Sequence, residues 1–133
     1  MTYKFTNAIV RKPNKSIHNA LSSQYLHPSY EKILEIHNNY ITSIEDAGLN
    51  TILLESLEQY PDSIFVEDPA LIFKNNIIIL NPSDFSRNGE AKIIKNEISK
   101  YFEKIFIVEN GIIEGGDVLN INNHFIIGLS NRT

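Results

Sequence analysis

The chain has 133 residues, 42% of them hydrophobic, a formal net charge of −4 and no cysteine. Its size and apolar content suit one folded domain, and an acidic balance without a Lys/Arg cluster argues against nucleic acid or an anionic membrane as the main partner. The missing cysteine excludes disulfides, thiolate metal sites and a cysteine nucleophile within these residues. No basic-then-apolar leader follows Met1, and the longest aliphatic run, Ile77 to Leu80, is far too short to span a bilayer, so the expectation is a cytoplasmic, soluble protein.

In chain order, Phe5 to Val10 reads as a strand and Lys12 to Leu26, polar and turn-rich, as a loop or lid. Tyr30, Ile33, Leu34, His37, Tyr40, Ile41, Ile44 and Ala47 recur at helical spacing; Ser29 is the expected N-cap and Gly48 closes the run. Thr51 to Leu54 reads as a second strand. Ile64 to Val66 is apolar and bounded by Pro61, Asp62 and Pro69, which predicts a short strand buried on both faces, with Glu67 and Asp68 at its mouth on opposite sides. Acids in such a place need a compensating cation or donor set. A bound guanidinium is one such group, because its donor fork matches carboxylate oxygens; an ordinary strand end paired with an internal Lys or Arg is the other.

Ala70 to Phe73 and Ile77 to Leu80 read as a hairpin around Lys74-Asn75-Asn76. Ala91, Ile94, Ile98, Tyr101 and Phe102 mark a second helix, and Ile105 to Val108 a strand. Val118 to Ile121 and Phe125 to Leu129 form a further hairpin turning near Asn122-Asn123. A shift of 49 residues carries Asp68, Ala70, Ile72, Ile77, Ile78 and Leu80 onto Asp117, Leu119, Ile121, Ile126, Ile127 and Leu129. The unit is hairpin, helix, strand, repeated as in blades or stacked modules. About two and a half such modules are counted, and an array cut there leaves strand edges and apolar faces uncovered.

Glu114-Gly115-Gly116-Asp117 places an acid on each side of two glycines just before a strand. The glycines permit close backbone approach or positive φ, and a bend of this kind suits an acid that orients a catalytic histidine. It also suits an acid that binds a cation, but for the tetrapeptide alone a plain turn between strands is the favoured account. Arg87, in the loop before the second helix, and Arg132, in the matching loop 45 residues on, would together clamp a carboxylate, or they are solvated surface residues. His37 falls on the apolar helix stripe and reads as a core residue. His18 and His27 lie in the lid-like loop and His124 beside a hairpin turn. No Ser-His-Asp spacing, phosphate loop or zinc pattern is present.

Taken in order, these segments resemble the dimethylarginine dimethylaminohydrolase family. The matching pieces are Ala8 to Arg11 with Pro13 and Ser16, Pro61 to Ala70, Pro82 with Ser86, Arg87 and Glu90, Glu114 to Leu119, and Gly128 to Ser130 with Arg132-Thr133. The resemblance implies an α/β fold, a partial pentein-type propeller of hairpin-helix-strand modules. About two and a half of five modules would be present, with residues 1–133 a single partial domain. It implies hydrolysis of Nω-methylated arginine to citrulline and a methylamine. A cysteine thiolate attacks the guanidinium carbon and a histidine protonates the leaving amine and then activates water, with no metal or organic cofactor. Glu67 and Asp68 match the acids that bind the guanidinium, and Asp62 an acid contacting the substrate's polar groups. Arg87 and Arg132 match the pair that holds the substrate carboxylate, Glu114 the acid that orients the catalytic histidine, and Leu21 a lid position contacting substrate through its backbone. The expected partner is methylated arginine or arginine. The family's nucleophilic cysteine and catalytic histidine have no counterpart here, so the 133-residue chain is expected to be inactive alone. A half-propeller remnant that dimerises or complements a partner chain is the alternative. Arginine or agmatine deiminases share the fold and an acid-Gly-Gly turn, while Phe65-Val66-Glu67-Asp68 resembles the dimethylarginine branch more.

Overall fold

The computed structural model describes residues 5–22, 28–121 and 124–131. They divide into two compact units, Met1–Phe65 and Val66–Thr133.

The first unit contains strand β1 (Asn7–Arg11), a 3₁₀ turn over Lys15–Asn19, helix α1 (Tyr30–Asp46) and strand β2 (Asn50–Leu54). β1 and β2 run parallel, Asn7 opposite Asn50 through Arg11 opposite Leu54, and α1 is the crossover a parallel pair requires. Both ends of α1 obey their sequence signals. Ser29 Oγ accepts from the Lys32 N–H at 3.4 Å. At the other end Gly48 takes φ +89°, its N–H donates to the Glu45 carbonyl at 2.9 Å, and the Leu49 N–H donates to that of Ile44 at 3.3 Å. These paired bonds satisfy carbonyls left over by the helix, and the positive φ is why glycine stands there. Val10, Ile17 and Leu54 are buried apolar residues, and His37, Arg11 and Asn14 are buried with them.

The second unit holds the hairpin β3 (Ala70–Phe73) and β4 (Asn76–Ile79), helix α2 (Glu90–Ile98), strand β5 (Lys104–Ile107) and the hairpin β6 (Val118–Ile121) and β7 (His124–Ile127). β5 adds to β4 in parallel, giving the order β3-β4-β5. Ile77, Ile79, Leu80, Ile94 and Ile98 are buried and form the apolar centre of the unit. At the tip of the first hairpin the positive φ belongs to Lys74, at 55°, and not to either asparagine that follows. The expected turn at Asn122-Asn123 lies outside the described residues.

Two expectations need correction. Ile64 to Val66 is not a buried strand: residues 61–64 and 66–67 are turns, Phe65 is exposed, and Ile64 and Val66 are half-buried. The Ser63 N–H donates to the Tyr60 carbonyl at 3.0 Å and the Phe65 N–H to that of Asp62 at 3.1 Å. Backbone groups satisfied inside the segment leave no ladder for a partner strand, and three apolar residues offer too little burial to outweigh that.

The hairpin repeat is real, but its offset is 48, not 49. Ala70 faces Ile79 as Val118 faces Ile127. The Leu80 N–H donates to the Pro69 carbonyl at 2.9 Å as the Gly128 N–H does to that of Asp117. Slipping by one residue would turn every side chain to the opposite face. Asp117 therefore occupies the place of Pro69, and the acid at the head of each hairpin does not repeat.

Candidate active site

In the first unit the site residues expected from sequence are Leu21 and Asp62. Asp62 is buried, and its two carboxylate oxygens each accept from the Leu21 N–H at 3.2 Å. The turn carrying Asp62 is held by Asn14, which has no exposed surface. Asn14 Nδ2 donates to the Tyr60 carbonyl at 3.0 Å, the Pro61 carbonyl at 3.3 Å and Ser63 Oγ at 3.1 Å, while its Oδ1 accepts from Ser16 Oγ at 2.7 Å. A buried amide with donors and acceptor all engaged fixes loops that have no sheet to fix them. Glu58 adds a clasp, accepting from the backbone N–H groups of Lys15 and Ser16 at 3.1 and 3.2 Å.

The second unit carries Glu67, Asp68, Arg87 and Glu114. Glu67 is exposed and Asp68 half-buried. Gly115 brings the backbone next to Glu114 against that of this pair. The Gly115 N–H donates to the Asp68 carbonyl at 3.0 Å. A Cβ on Gly115 would fall on the Glu67 carbonyl oxygen, far inside contact distance, and 2.9 Å from the carbonyl carbon. No positive φ is involved at Gly115 or Gly116, so close approach is the reason for glycine at position 115, whereas a Cβ on Gly116 would make only an ordinary contact. Glu114 itself is buried, and its Oε1 accepts from Ser83 Oγ at 2.9 Å and the Ser83 N–H at 3.2 Å.

Arg87 ends a 3₁₀ turn, Phe85–Arg87, capped by Asp84, whose carboxylate accepts from the Ser86 N–H at 2.8 Å and from Ser86 Oγ at 2.7 Å. Those bonds hold the Asp84 carboxyl below the usual aspartate range. The Arg87 side chain turns inward and is 5% exposed. Its Nη1 donates to Asp68 Oδ2, while Nε and Nη2 donate to the two oxygens of Glu90, each at 2.8 Å. Burial opposes its charge, but the bonds and charges of Glu90 and then Asp68 outweigh that and raise its pKa above the ordinary arginine value. Asp68 ends no strand, but its pairing with an internal arginine, the alternative left open by the sequence, is thus observed. Glu90 was not singled out as a site residue from sequence. The available signal was its spacing of three from Arg87 at a helix start. Nothing comparable marked Ser83 or Asn14.

Arg132 and His27 lie outside the described residues. His37 is buried against β1, as its helical position implied. Burial lowers its pKa, and a hydrogen bond to the Arg11 backbone opposes that shift. His18 Nδ1 lies 2.8 Å from the Lys15 carbonyl, and His124 is exposed at the start of β7. Among the described residues no three His, Asp or Glu side chains are grouped as metal ligands, and no helix is long and apolar enough to cross a membrane.

No family model matches the chain. It is 39% identical over 132 residues to N(G),N(G)-dimethylarginine dimethylaminohydrolase of Pseudomonas aeruginosa and 29% identical over 132 residues to the enzyme of that name from Streptomyces coelicolor. These alignments take in 97% and 95% of the chain but 52% and 50% of the relatives, so the chain spans about half the length of the curated relatives it matches. Two solved structures of dimethylarginine dimethylaminohydrolase are also similar. An adduct with S-methyl-L-thiocitrulline gives a TM-score of 0.92 and a Pseudomonas aeruginosa mutant complexed with citrulline gives 0.93. Each is 38% identical and covers 98% of this chain and 52% of its own. The N-terminal domain of the arginine dihydrolase ArgZ, at 15% identity and a TM-score of 0.76, shares the fold alone. The fold is α/β, of the kind these enzymes have. Within it, the chain belongs to the dimethylarginine dimethylaminohydrolase family.

Proposed function

We propose that this chain supplies the substrate-binding acids of a dimethylarginine dimethylaminohydrolase-like hydrolase, one that converts Nω-methylated arginine to citrulline and a methylamine. The observation that carries the reading is the Gly115 contact. It brings the backbone that follows Glu114 against that of Glu67 and Asp68, acids from two distant parts of the sequence, in a family whose members carry that enzyme name. In this reading Glu67 and Asp68 receive the guanidinium and Asp62 the substrate's polar groups, with Leu21 contributing its backbone. Arg87 and Arg132 serve the carboxylate end. Glu114 orients a histidine supplied from outside these residues, as the nucleophilic cysteine must be, since the chain has none. The reaction uses no metal or organic cofactor, residues 1–133 form one partial domain of about two and a half propeller modules, and the protein works in the cytoplasm.

Titration of the full chain with Nω,Nω-dimethyl-L-arginine, followed by calorimetry, tests the binding role. Asp68→Asn should weaken binding about tenfold or more, as expected for loss of a charged partner to a cationic ligand. Equal binding by wild type and variant would remove Asp68 from the site. The chain alone should release no citrulline from the same compound.

A second reading is favoured by a separate observation. Leu119 and Ile126, opposite each other on the β6–β7 hairpin, are 57% and 56% exposed, and Phe106 and Ile107 on β5 are exposed as well. An incomplete propeller that dimerises or complements a partner chain would cover such residues.

A further inference from the structure

The role proposed for Asp68 meets a difficulty of charge. Asp68 already has a cation, because Arg87 Nη1 donates to its Oδ2. A carboxylate and a guanidinium in one-to-one contact are neutral together and give a second guanidinium little to bind. Glu90 removes the difficulty. It is the first residue of α2 and is 1% exposed, although glutamate is almost never fully buried unless it is paired. Both its oxygens are taken by Arg87, Oε2 by Nε and Oε1 by Nη2, each at 2.8 Å.

This is the two-pronged geometry for which the planar guanidinium is built, and it does two things. It fixes the plane of Arg87, so that the remaining edge meets Asp68 in one orientation. It also divides one positive charge between two carboxylates, so the trio keeps one negative charge. Since Glu90 has no exposed surface to speak of and Asp68 does, the trio meets solvent and ligand mainly through Asp68.

We infer that Glu90 is a positioning residue that holds Arg87 by its far edge and so keeps Asp68 oriented and leaves the trio with one negative charge toward a cationic guanidinium ligand. The inference rests on the binding role proposed above for Asp68. Glu90 touches no substrate and acts only through Arg87.

The test uses the full chain, wild type, Glu90→Gln, Glu90→Asp and Asp68→Asn, with two readouts. The first is hydrogen exchange at Arg87 Nε–H by NMR, which needs no ligand. Wild type should be protected, Glu90→Gln should lose about tenfold or more of that protection, and Asp68→Asn should keep it. Unchanged Ile94 and Ile98 methyl shifts would show that α2 is intact. Unaltered protection in Glu90→Gln overturns the inference. The second readout compares binding of L-arginine, which is cationic, with L-citrulline, which has a neutral side chain. Glu90→Gln should weaken arginine about tenfold more than citrulline, whereas a purely structural loss would weaken both alike and overturn the inference. Should Glu90→Gln fail to fold, Glu90→Asp decides. It keeps the charge on a shorter arm, so it should lose Nε–H protection yet retain the preference for arginine, and loss of that preference would be fatal to the idea. A wild-type chain that binds neither compound overturns the proposed function, while the exchange comparison still decides whether Glu90 holds Arg87.

Discussion

Burial of a titratable group leaves a signature in stability that the folded chain cannot hide, and His37 shows its sign. Its pKa in the folded chain lies below the ordinary histidine value, chiefly because burial disfavours the imidazolium. As pH falls through about 6.5 the unfolded chain takes up the proton first. Stability at this residue is therefore complete above that pH, declines as pH drops below it, and levels off once the folded-state pKa is passed. His37→Gln removes the contribution. The stability of wild type minus that of the variant, from urea unfolding, should fall between about pH 7.5 and pH 5.5; a flat difference would contradict the assignment. Asn14 makes a complementary point. Asparagine is seldom wholly buried, and here every polar atom of the amide has a partner in the loops it joins.

At the scale of the element, the decisive feature is the turn that precedes β6. Gly115 and Gly116 are neighbours in sequence and look interchangeable, yet their surroundings differ. A side chain on Gly115 would meet the Glu67 backbone, which cannot swing aside, while one on Gly116 would meet only Asp68 Oδ1, at an ordinary 3.8 Å. Gly115→Ala should accordingly destabilise the chain by about 2 kcal/mol or more, within or above the usual range for overpacking. Gly116→Ala should cost well under half of that. Thermal or urea unfolding of the two variants checks the order; equal effects would mean that the close approach is not tight. Because the Gly115 N–H also donates to the Asp68 carbonyl, Gly115→Ala should displace Asp68 and weaken ligand binding beyond its effect on folding.

For the molecule as a whole, the two sheets of the second unit are unevenly covered. Ile77 and Ile79 of β4 are buried, whereas Phe125 and Ile127 of β7, at the corresponding positions of the repeat, are exposed. The first hairpin has β5 alongside it and packs with α2. Apolar strands left open in this way favour self-association or the capture of a matching chain. The pure chain should therefore elute from size-exclusion chromatography with light-scattering mass above that of a monomer, and replacing Leu119 and Ile126 together with Lys should return it toward monomer. A monodisperse wild-type monomer at high concentration would count against the second reading.

The sequence by itself determined the local elements. The apolar spacing, Ser29 and Gly48 fixed the limits of α1 to within a residue, and the strands of both hairpins and β5 lie within two residues of where the sequence put them, because these signals act between residues close along the chain. It also brought out Glu114-Gly115-Gly116 as a place of close approach and, through resemblance, the family. Tertiary structure alone decided that Ile64 to Val66 turns rather than extends, since that depends on where the Tyr60 and Asp62 carbonyls find donors. It set the repeat at 48 rather than 49, because strand register is fixed by the partner strand. It also decided that Arg87 lies buried between Glu90 and Asp68, since the low solvent exposure that makes such a trio tolerable is a property of the packed chain and of no segment alone.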